Sequence, residues 1–572
     1  MELEDGERAR REQEWYELFR PSDDEEFEGF TVPRENQEVV QSDEEFSDDD
    51  SETSSDDEQH ANLASSLPTN WSENLEDVVV QEFDEQHGPQ HSLNEKATAK
   101  DYFSLFIDDE FIDVVVENTI AYARKLNDET FTTNRREISA FFGLNIFMGV
   151  NKLPSVSRYW HTDPFIGSEG FKRTIPYKRF YQLSKYIHLS NPEEENANDK
   201  LAKLRPLITL LERKFCEIYI PGKNLSVDEA LVKYNGRLSF KQYMPAKPSK
   251  FGIKVWLLAD ADTYFVPRFQ VYLGKGREES QLFREKGLGH YVVWTLSEPY
   301  LNRHRHIFVD NFFSSADLMK SLLAKNTYAC ATTRKNRKGF PADLKNLKLT
   351  QGEIRTRQDG NLVATVWRDK RDVYFLSTNS NPNKEIHAQM QGRRRVPVPH
   401  EQRVKPEVVS IYNASMNGVD VSDQYRNYYQ SGTVSIKWWK YLMWFFFDLS
   451  IVNGYILEKI ARKSKEVSAR RHLDFRIALA NEMIANYNRY KLRSNDFVQA
   501  MNSSSTGENI AGHSLGKING RKKACQMCSK LGRKREDGRT FETVYVCEHC
   551  GVPLCKKKRS NNAPPCFVAW HQ

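Results

Sequence analysis

The sequence predicts a mixed α/β protein with a metal-binding C-terminal module, on three observations. Apolar residues recur at three and four across 97–222 and again from about Val408 to Tyr490, which is the pattern of packed helices. Between these, from Asn224, the texture changes to short runs rich in β-branched and aromatic residues, which reads as strands of a mixed sheet. Six of the eight cysteines then fall between Cys525 and Cys566. A chain of 572 residues can divide into three or four domains and bury a large core.

Charge divides the chain more sharply than hydropathy does. Residues 1–95 hold 31 acidic against 5 basic residues, while the remainder holds 77 basic against 48 acidic, so a net of −26 faces a net of +29. A basic body of this size suits a polyanion, and an acidic tail would keep it soluble or mask it. The stretch "SDEEFSDDDSETSSDDE" cannot bury enough apolar surface to offset the entropy of ordering, so 1–96 is expected to be disordered.

The elements follow in order. "DDEFIDVVVENTIAYARKL" and "REISAFFGLNIFMGV" carry helical periodicity, the first with acids early and cations late as the helix dipole favours. "LSVDEALVKY", "KFGIKVWLLADADTYFVPRFQVYLG" and "HIFVD" read as strands, "FSSADLMKSLLAKN" as a helix, and "YACATTRKN" as a further strand. The more polar 338–405 has short β-like pieces and is expected to be an insertion subdomain. The run from Tyr441 to Leu457 is interrupted by Asp448, Asn453 and Gly454 and is short for a membrane span, which makes it a buried helix. A Ser-rich linker at 496–520 precedes the Cys-rich 521–572. With no apolar N-terminal segment, no secretory signal or membrane association is expected, so paired cysteines favour metal over disulfides.

Three acid-bearing segments stand out: "LSVDEALV" with Asp228, "IFVDNFFSS" with Asp310, and "MNGVDVSDQY" with Asp420 and Asp423. Any one of these acids alone would be an ordinary turn or cap residue. Gathered at a sheet edge they would repel one another unless a divalent cation neutralised them, and Mg²⁺ takes such oxygen ligands while keeping waters for chemistry. Two such ions could stabilise the attacking and leaving oxygens of a phosphodiester.

The order "NLSVDEALVKYNGRLSFKQYMPAKPSKFGIKVWLL", "HIFVDNFFSS" and "NGVDVSDQYRNYY", preceded by "DKLAKLRPLI", resembles the piggyBac family of DNA transposases and its domesticated relatives. The resemblance runs from about Asp101 to the C-terminus. It implies an RNase H-like catalytic core over 223–337 and 406–423, with the insertion at 338–405 between the second and third acids. It also implies a helical dimerisation and DNA-binding domain from 97–222 and 424–495. Asp228, Asp310 and Asp420 match the family's catalytic, metal-binding aspartates, and Asp423 matches a further acid. The implied cofactor at these acids is Mg²⁺ or Mn²⁺. The implied activity is nicking at the element end, hairpin formation by the freed 3′-hydroxyl, hairpin opening and joining to a TTAA target. The implied partners are double-stranded DNA and a second copy of the chain, in the nucleus. A derivative that binds DNA without cutting it is the alternative.

The cysteines give a separate signal. Cys525/Cys528 and Cys547/Cys550 are CxxC pairs, each able to place two thiolates on one Zn²⁺, with Cys555, Cys566 and His571 following. The resemblance implies a cross-braced, two-zinc module, which needs eight ligands. Seven are counted, so one full site is expected and the second lacks a ligand unless His549 or another group contributes. "GHSLG" at Gly512–Gly516 fits the nucleophile-elbow pattern but follows a Ser-rich linker rather than a strand, and "GKG" at Gly274–Gly276 is too short for a P-loop. The family match makes Trp438 a candidate near the acids. The runs "GRRR", "GRKR" and "KKKR" suit phosphate contact or nuclear import.

Overall fold

A computed structural model describes residues 69–244, 249–274, 281–387, 404–485, 487, 515–518, 521–535, 537–548, 550–556 and 566–571. The expected disorder of 1–68 and the basic run at Gly392–Arg395 lie outside the described residues. The chain forms two units, one of 1–108 with 189–476 and one of 109–188 with 477–572.

The first unit is built on a nine-stranded mixed sheet. Its main strands are β1 (Asn224–Lys233), β2 (Phe251–Asp260), β3 (Arg268–Val271), β4 (His306–Val309), β5 (Tyr328–Thr333), β6 (Ile354–Asp359), β7 (Leu362–Arg368) and β8 (Asp372–Ser377). Their spatial order is β3-β2-β1-β4-β5-β8-β7-β6, with the short strand Gln242–Tyr243 also pairing with β2. The β1/β4 and β4/β5 pairs are parallel and the others antiparallel. Alternation along the strands separates two cores. Leu225, Val227, Ile307, Val309, Ala329 and Ala331 face one side; Phe308 and Cys330 face the other, against Val408, Val409 and Tyr412.

The structure alters the expected organisation of 338–405. β6, β7 and β8 are no separate subdomain but the continuation of the central sheet through the β5/β8 pair. Leu362, Val363, Ala364 and Val366 are buried there, so this stretch contributes to the common core in spite of its polar flanks.

Helices expected in a flanking domain also pack within the sheet-bearing unit. Phe215, from the helix Arg205–Ile218, and Phe446, from Trp438–Lys463, both meet Phe269 of β3 with ring centroids 5.9 and 4.6 Å away. The helix Trp438–Lys463 is buried along most of its length, and its two polar interruptions, Asp448 and Asn453, each have a structural reason. The Asp448 carboxylate accepts from the backbone N–H and hydroxyl of Ser431, both at 2.8 Å, and from the buried Arg476 guanidinium at 2.8 Å. Asn453 satisfies both backbone groups of Val266, at 3.0 Å each. Gly454 faces the backbone of Tyr102 and Phe103, which a Cβ there would meet at an ordinary contact distance of 3.4 Å. Among the described residues, no helix is long and apolar enough to cross a membrane.

Residues 69–90, expected to be disordered, instead run as an extended strap over the same unit. Ser72 pairs with Gln358 at the outer edge of β6, and the Trp71 indole donates to the Gly339 carbonyl at 3.0 Å. Glu73 pairs with Arg357, and Glu85 with the fully buried Arg305, whose guanidinium also lies 5.0 Å from the Phe83 ring centroid. Two of the acids in this stretch, Glu73 and Glu85, are here matched to cations, and two aromatics supply apolar contact.

The second unit contains the helices Asp109–Lys125, Arg135–Val150 and Tyr177–Tyr186. The buried Glu137 is held by Arg179 at 2.6 Å, and that guanidinium lies 4.6 Å from the Phe131 ring centroid. The Cys-rich module begins before 521: Leu515–Lys517, assigned to the linker by composition, pairs with Tyr545–Cys547.

Candidate active site and zinc centre

Strand register places the first two acids side by side. Val227 of β1 pairs with Val309 of β4, which pairs with Ala331 of β5. Asp228, Asp310 and Thr332 are the next residues of those three neighbouring strands. Because Val227, Val309 and Ala331 face one core, alternation turns the following residues to the opposite face, the side that carries Tyr412. Asp310 ends its strand, and one of its carboxylate oxygens accepts from the Phe312 N–H at 2.9 Å. The Asp228 carboxylate accepts from the Glu229 N–H at 2.7 Å.

The third acid arrives on a helix seated upon the same face. The helix α1 (Glu407–Ser415) buries Val408, Val409 and Tyr412 against the sheet, and α2 (Gly418–Tyr428) follows after a two-residue turn. A Cβ on Gly418 would stand 2.3 Å from the Ser226 hydroxyl and 3.1 Å from Ala261 Cα. Only glycine lets α2 come so near to β1, two residues before Asp228. Asp420 lies in the first turn of α2 and is exposed. Asp423 is turned to other work: it accepts from Arg426 at 2.7 and 2.9 Å and from the Asn427 amide at 3.0 Å. Arg426 is itself buried, with its guanidinium 4.5 Å from the Phe445 ring centroid.

Electrostatics mark Asp310 as the strained member. Burial, and then the neighbouring Glu229 charge, push its carboxyl up to about 6, against the opposing effect of the Phe312 and Phe313 N–H groups and the Lys254 ammonium. Lys254 lies 4.4 Å from the Trp256 ring centroid and 5.2 Å from that of Phe312. Trp438 stands edge-on to Phe240 at 5.2 Å, beyond the acids along the β1–β2 hairpin. The donor set of carboxylates fits a hard divalent cation. The three aspartates are not drawn into one tight cluster: among the described residues, the group whose ligand atoms all lie within 4.8 Å of one another is a set of cysteines.

That set is Cys525, Cys528, Cys555 and Cys566, all buried. Four thiolates on one Zn²⁺ at its usual bond length stand about 3.8 Å apart, and the Cys528 and Cys566 sulfurs are 3.5 Å apart. The four fit a structural zinc. Cys555 and Cys566, not the second CxxC pair, complete the set begun by Cys525 and Cys528, and Cys547 and Cys550 sit together elsewhere in the same small core. The side chains of His549 and His571 lie outside the described residues.

Sequence reasoning passed over Glu229, Thr332 and Tyr412. Glu229 adjoins Asp228 in the quoted motif and was hidden by it. Thr332 and Tyr412 join the site only through register and helix packing, which no local pattern encodes.

Comparison with known proteins agrees with this architecture. Residues 98–455 match a family model described as transposase IS4, and residues 509–572 match a DDE_Tnp_1-like zinc finger. The chain is 28% identical over 378 residues to PiggyBac transposable element-derived protein 3 of Homo sapiens, covering 63% of this chain and 61% of that protein. It is 25% identical over 374 residues to PiggyBac transposable element-derived protein 2 of Homo sapiens, covering 64% and 62%. It thus spans less than two thirds of either relative. The structure resembles a solved piggyBac transposase synaptic complex with hairpin DNA, at a TM-score of 0.64 and 24% identity, over 85% of this chain and all of that one. The fold is that of the piggyBac transposase in that complex. The chain belongs to the piggyBac transposase family.

Proposed function

We propose that this protein is a divalent-cation-dependent DNA transposase that cuts and rejoins phosphodiesters at the ends of a mobile element. The observation that carries the reading is the placement of Asp228 and Asp310 on adjacent parallel strands, with the Asp420 helix seated on the same face. The sheet around them, three antiparallel strands followed by two in parallel, is read as an RNase H-like core.

Asp228, Asp310 and Asp420 would hold the cation, Mg²⁺ or Mn²⁺, which when bound supplies charge stabilisation to the pentacovalent phosphate and acidifies water. The chain's own residues do the rest. The β1/β4 register fixes the spacing of the first two carboxylates, and the Gly418 contact fixes the height of the third. The Phe312 N–H orients Asp310. Between Glu229 and Asp260 the chain carries six Lys and Arg and no acid, which suits the DNA backbone leading into the site. By family likeness the products are a hairpin at the element end and joining at TTAA, carried out by a homodimer in the nucleus.

The test is excision from a plasmid carrying the DNA that flanks this gene, with purified protein and Mg²⁺. Excision should be abolished by Asp310→Asn while end binding persists; a variant that still cuts normally would sink the assignment. One observation favours a second reading, a DNA-binding protein derived from a transposase: Asp420 is exposed and Asp423 is engaged by Arg426. Tight end binding by the unaltered protein without any cutting would establish that reading.

A further inference from the structure

Three groups occupy the same step of three neighbouring strands, and the third is not an acid. Thr332 stands beside Asp310 as Asp310 stands beside Asp228, on the same face of the sheet. Over this row lies Tyr412 from α1, buried and held edge-on by Phe375, with ring centroids 5.8 Å apart. Its hydroxyl is 3.4 Å from Thr332 Oγ1. That is long for an O–H···O contact, which usually measures about 2.7–2.8 Å, so neither hydroxyl is tightly committed to the other. Burial raises the phenol's affinity for its proton, the Thr332 hydroxyl works against it, and the charges of Asp310 and Asp228 then raise it further, so the hydroxyl lies within electrostatic reach of both acids. A leucine or phenylalanine would fill this apolar position as well, and a phenol on the face that carries the two carboxylates calls for an explanation.

We propose that Tyr412 and Thr332 are a pair of positioning residues whose hydroxyls orient the water ligands of the divalent cation held by Asp228 and Asp310. The inference rests on the cation-binding reading above and goes one layer further out. Mg²⁺ keeps several waters when carboxylates bind it, and those waters need fixed partners to present one lone pair to a phosphodiester. Thr332 offers a hydroxyl level with Asp310, and Tyr412 offers one across the row. Neither is assigned as a ligand. Outer partners of this kind typically govern affinity by ten- to a hundredfold.

The experiment measures Mn²⁺ binding to the full chain by titration calorimetry, with electron paramagnetic resonance of free Mn²⁺ as a second readout, for Tyr412→Phe, Thr332→Val and the double variant. Thermal melts establish that each variant folds. The expected result is about tenfold weaker Mn²⁺ binding in each single variant, and less than the summed loss in the double variant because the two act on one water network. In the nicking assay, the Mg²⁺ concentration for half-maximal rate should rise in parallel while the rate at saturating Mg²⁺ falls less. Unchanged Mn²⁺ affinity in a folded Tyr412→Phe would overturn the proposal and reduce the phenol to packing. Should Tyr412→Phe fail to fold, Thr332→Val, at a half-buried position on the strand, decides by the same readout. Asp310→Asn is run alongside: if it too leaves Mn²⁺ binding unchanged, the cation reading itself falls.

Discussion

Asp228 and Asp310 occupy the same step of two neighbouring parallel strands, one residue beyond the paired Val227 and Val309. Their separation is therefore a property of the sheet, set by backbone hydrogen bonds and by the burial of the two valines behind them. A side chain held on a loop would have no such constraint.

The third acid depends on a single close approach. Gly418→Ala places a methyl 2.3 Å from the Ser226 hydroxyl and about 3.1 Å from the Ala261 backbone, so α2 must lift away from β1. The expected outcome is a stability loss of about 1–3 kcal/mol from overpacking, with excision reduced by far more than end binding. Denaturant melts and paired cleavage and binding assays check this; equal activity in the two proteins would mean that the height of α2 is unimportant.

The raised Asp310 carboxyl makes a signed prediction about pH. Its folded value, about 6, exceeds the unfolded 3.8, so ionising it disfavours the folded state. The penalty is absent below pH 4, grows between 4 and 6, and is complete above 6. Asp310→Asn should therefore stabilise the protein at pH 7.5 in the presence of a chelator, by on the order of 1–3 kcal/mol, and the gain should vanish near pH 4. Thermal melts at the two pH values give the answer, and the same gain at both would refute charge burial as its cause.

Zinc content will distinguish the cysteines. Cys566→Ser removes one of the four converging thiolates, and the module should lose a zinc and its melting transition. Cys216→Ser, far from any other cysteine in sequence, should lose neither. Metal analysis of the two purified variants suffices, and retention of full zinc by Cys566→Ser would contradict the assigned ligand set.

Truncation should separate the acidic tail from the strap. Deleting 1–68 removes 24 acidic residues and should tighten DNA binding most at low salt. Deleting 1–95 also removes Trp71, Phe83 and Glu85, and Glu85 leaves behind a buried Arg305. The longer deletion should cost about 3–5 kcal/mol through that unpaired cation. A salt series with melting curves tests both, and equal stability of the two truncations would deny the strap a structural role.

Much of this arrangement was legible in the sequence, and the exceptions have physical causes. Asp228 and Asp310 could be singled out because several acid-bearing segments recur in the order that resembles the family's motifs, although either acid alone reads as a turn or cap residue. Their partnership with Thr332 and Tyr412 could not, because strand register and helix docking are long-range facts. The run 338–405 looked separate since its polar edges conceal the buried β7. The strap was masked by its own acids: composition counts Glu73 and Glu85 as repulsive, while the fold sets each against an arginine. The four converging cysteines were all named, but spacing cannot tell which two pairs share an ion, and only the fold joins Cys555 and Cys566 to Cys525 and Cys528.

The strap has one more consequence. β6 ends the sheet, and a bare terminal strand offers its unpaired N–H and C=O groups to any other chain that can extend along it. Ser72 fills part of that row, Trp71 anchors beside it, and Glu73 clamps the strap to Arg357 of the same strand. The fold thus carries its own edge guard, and what it guards against is aggregation.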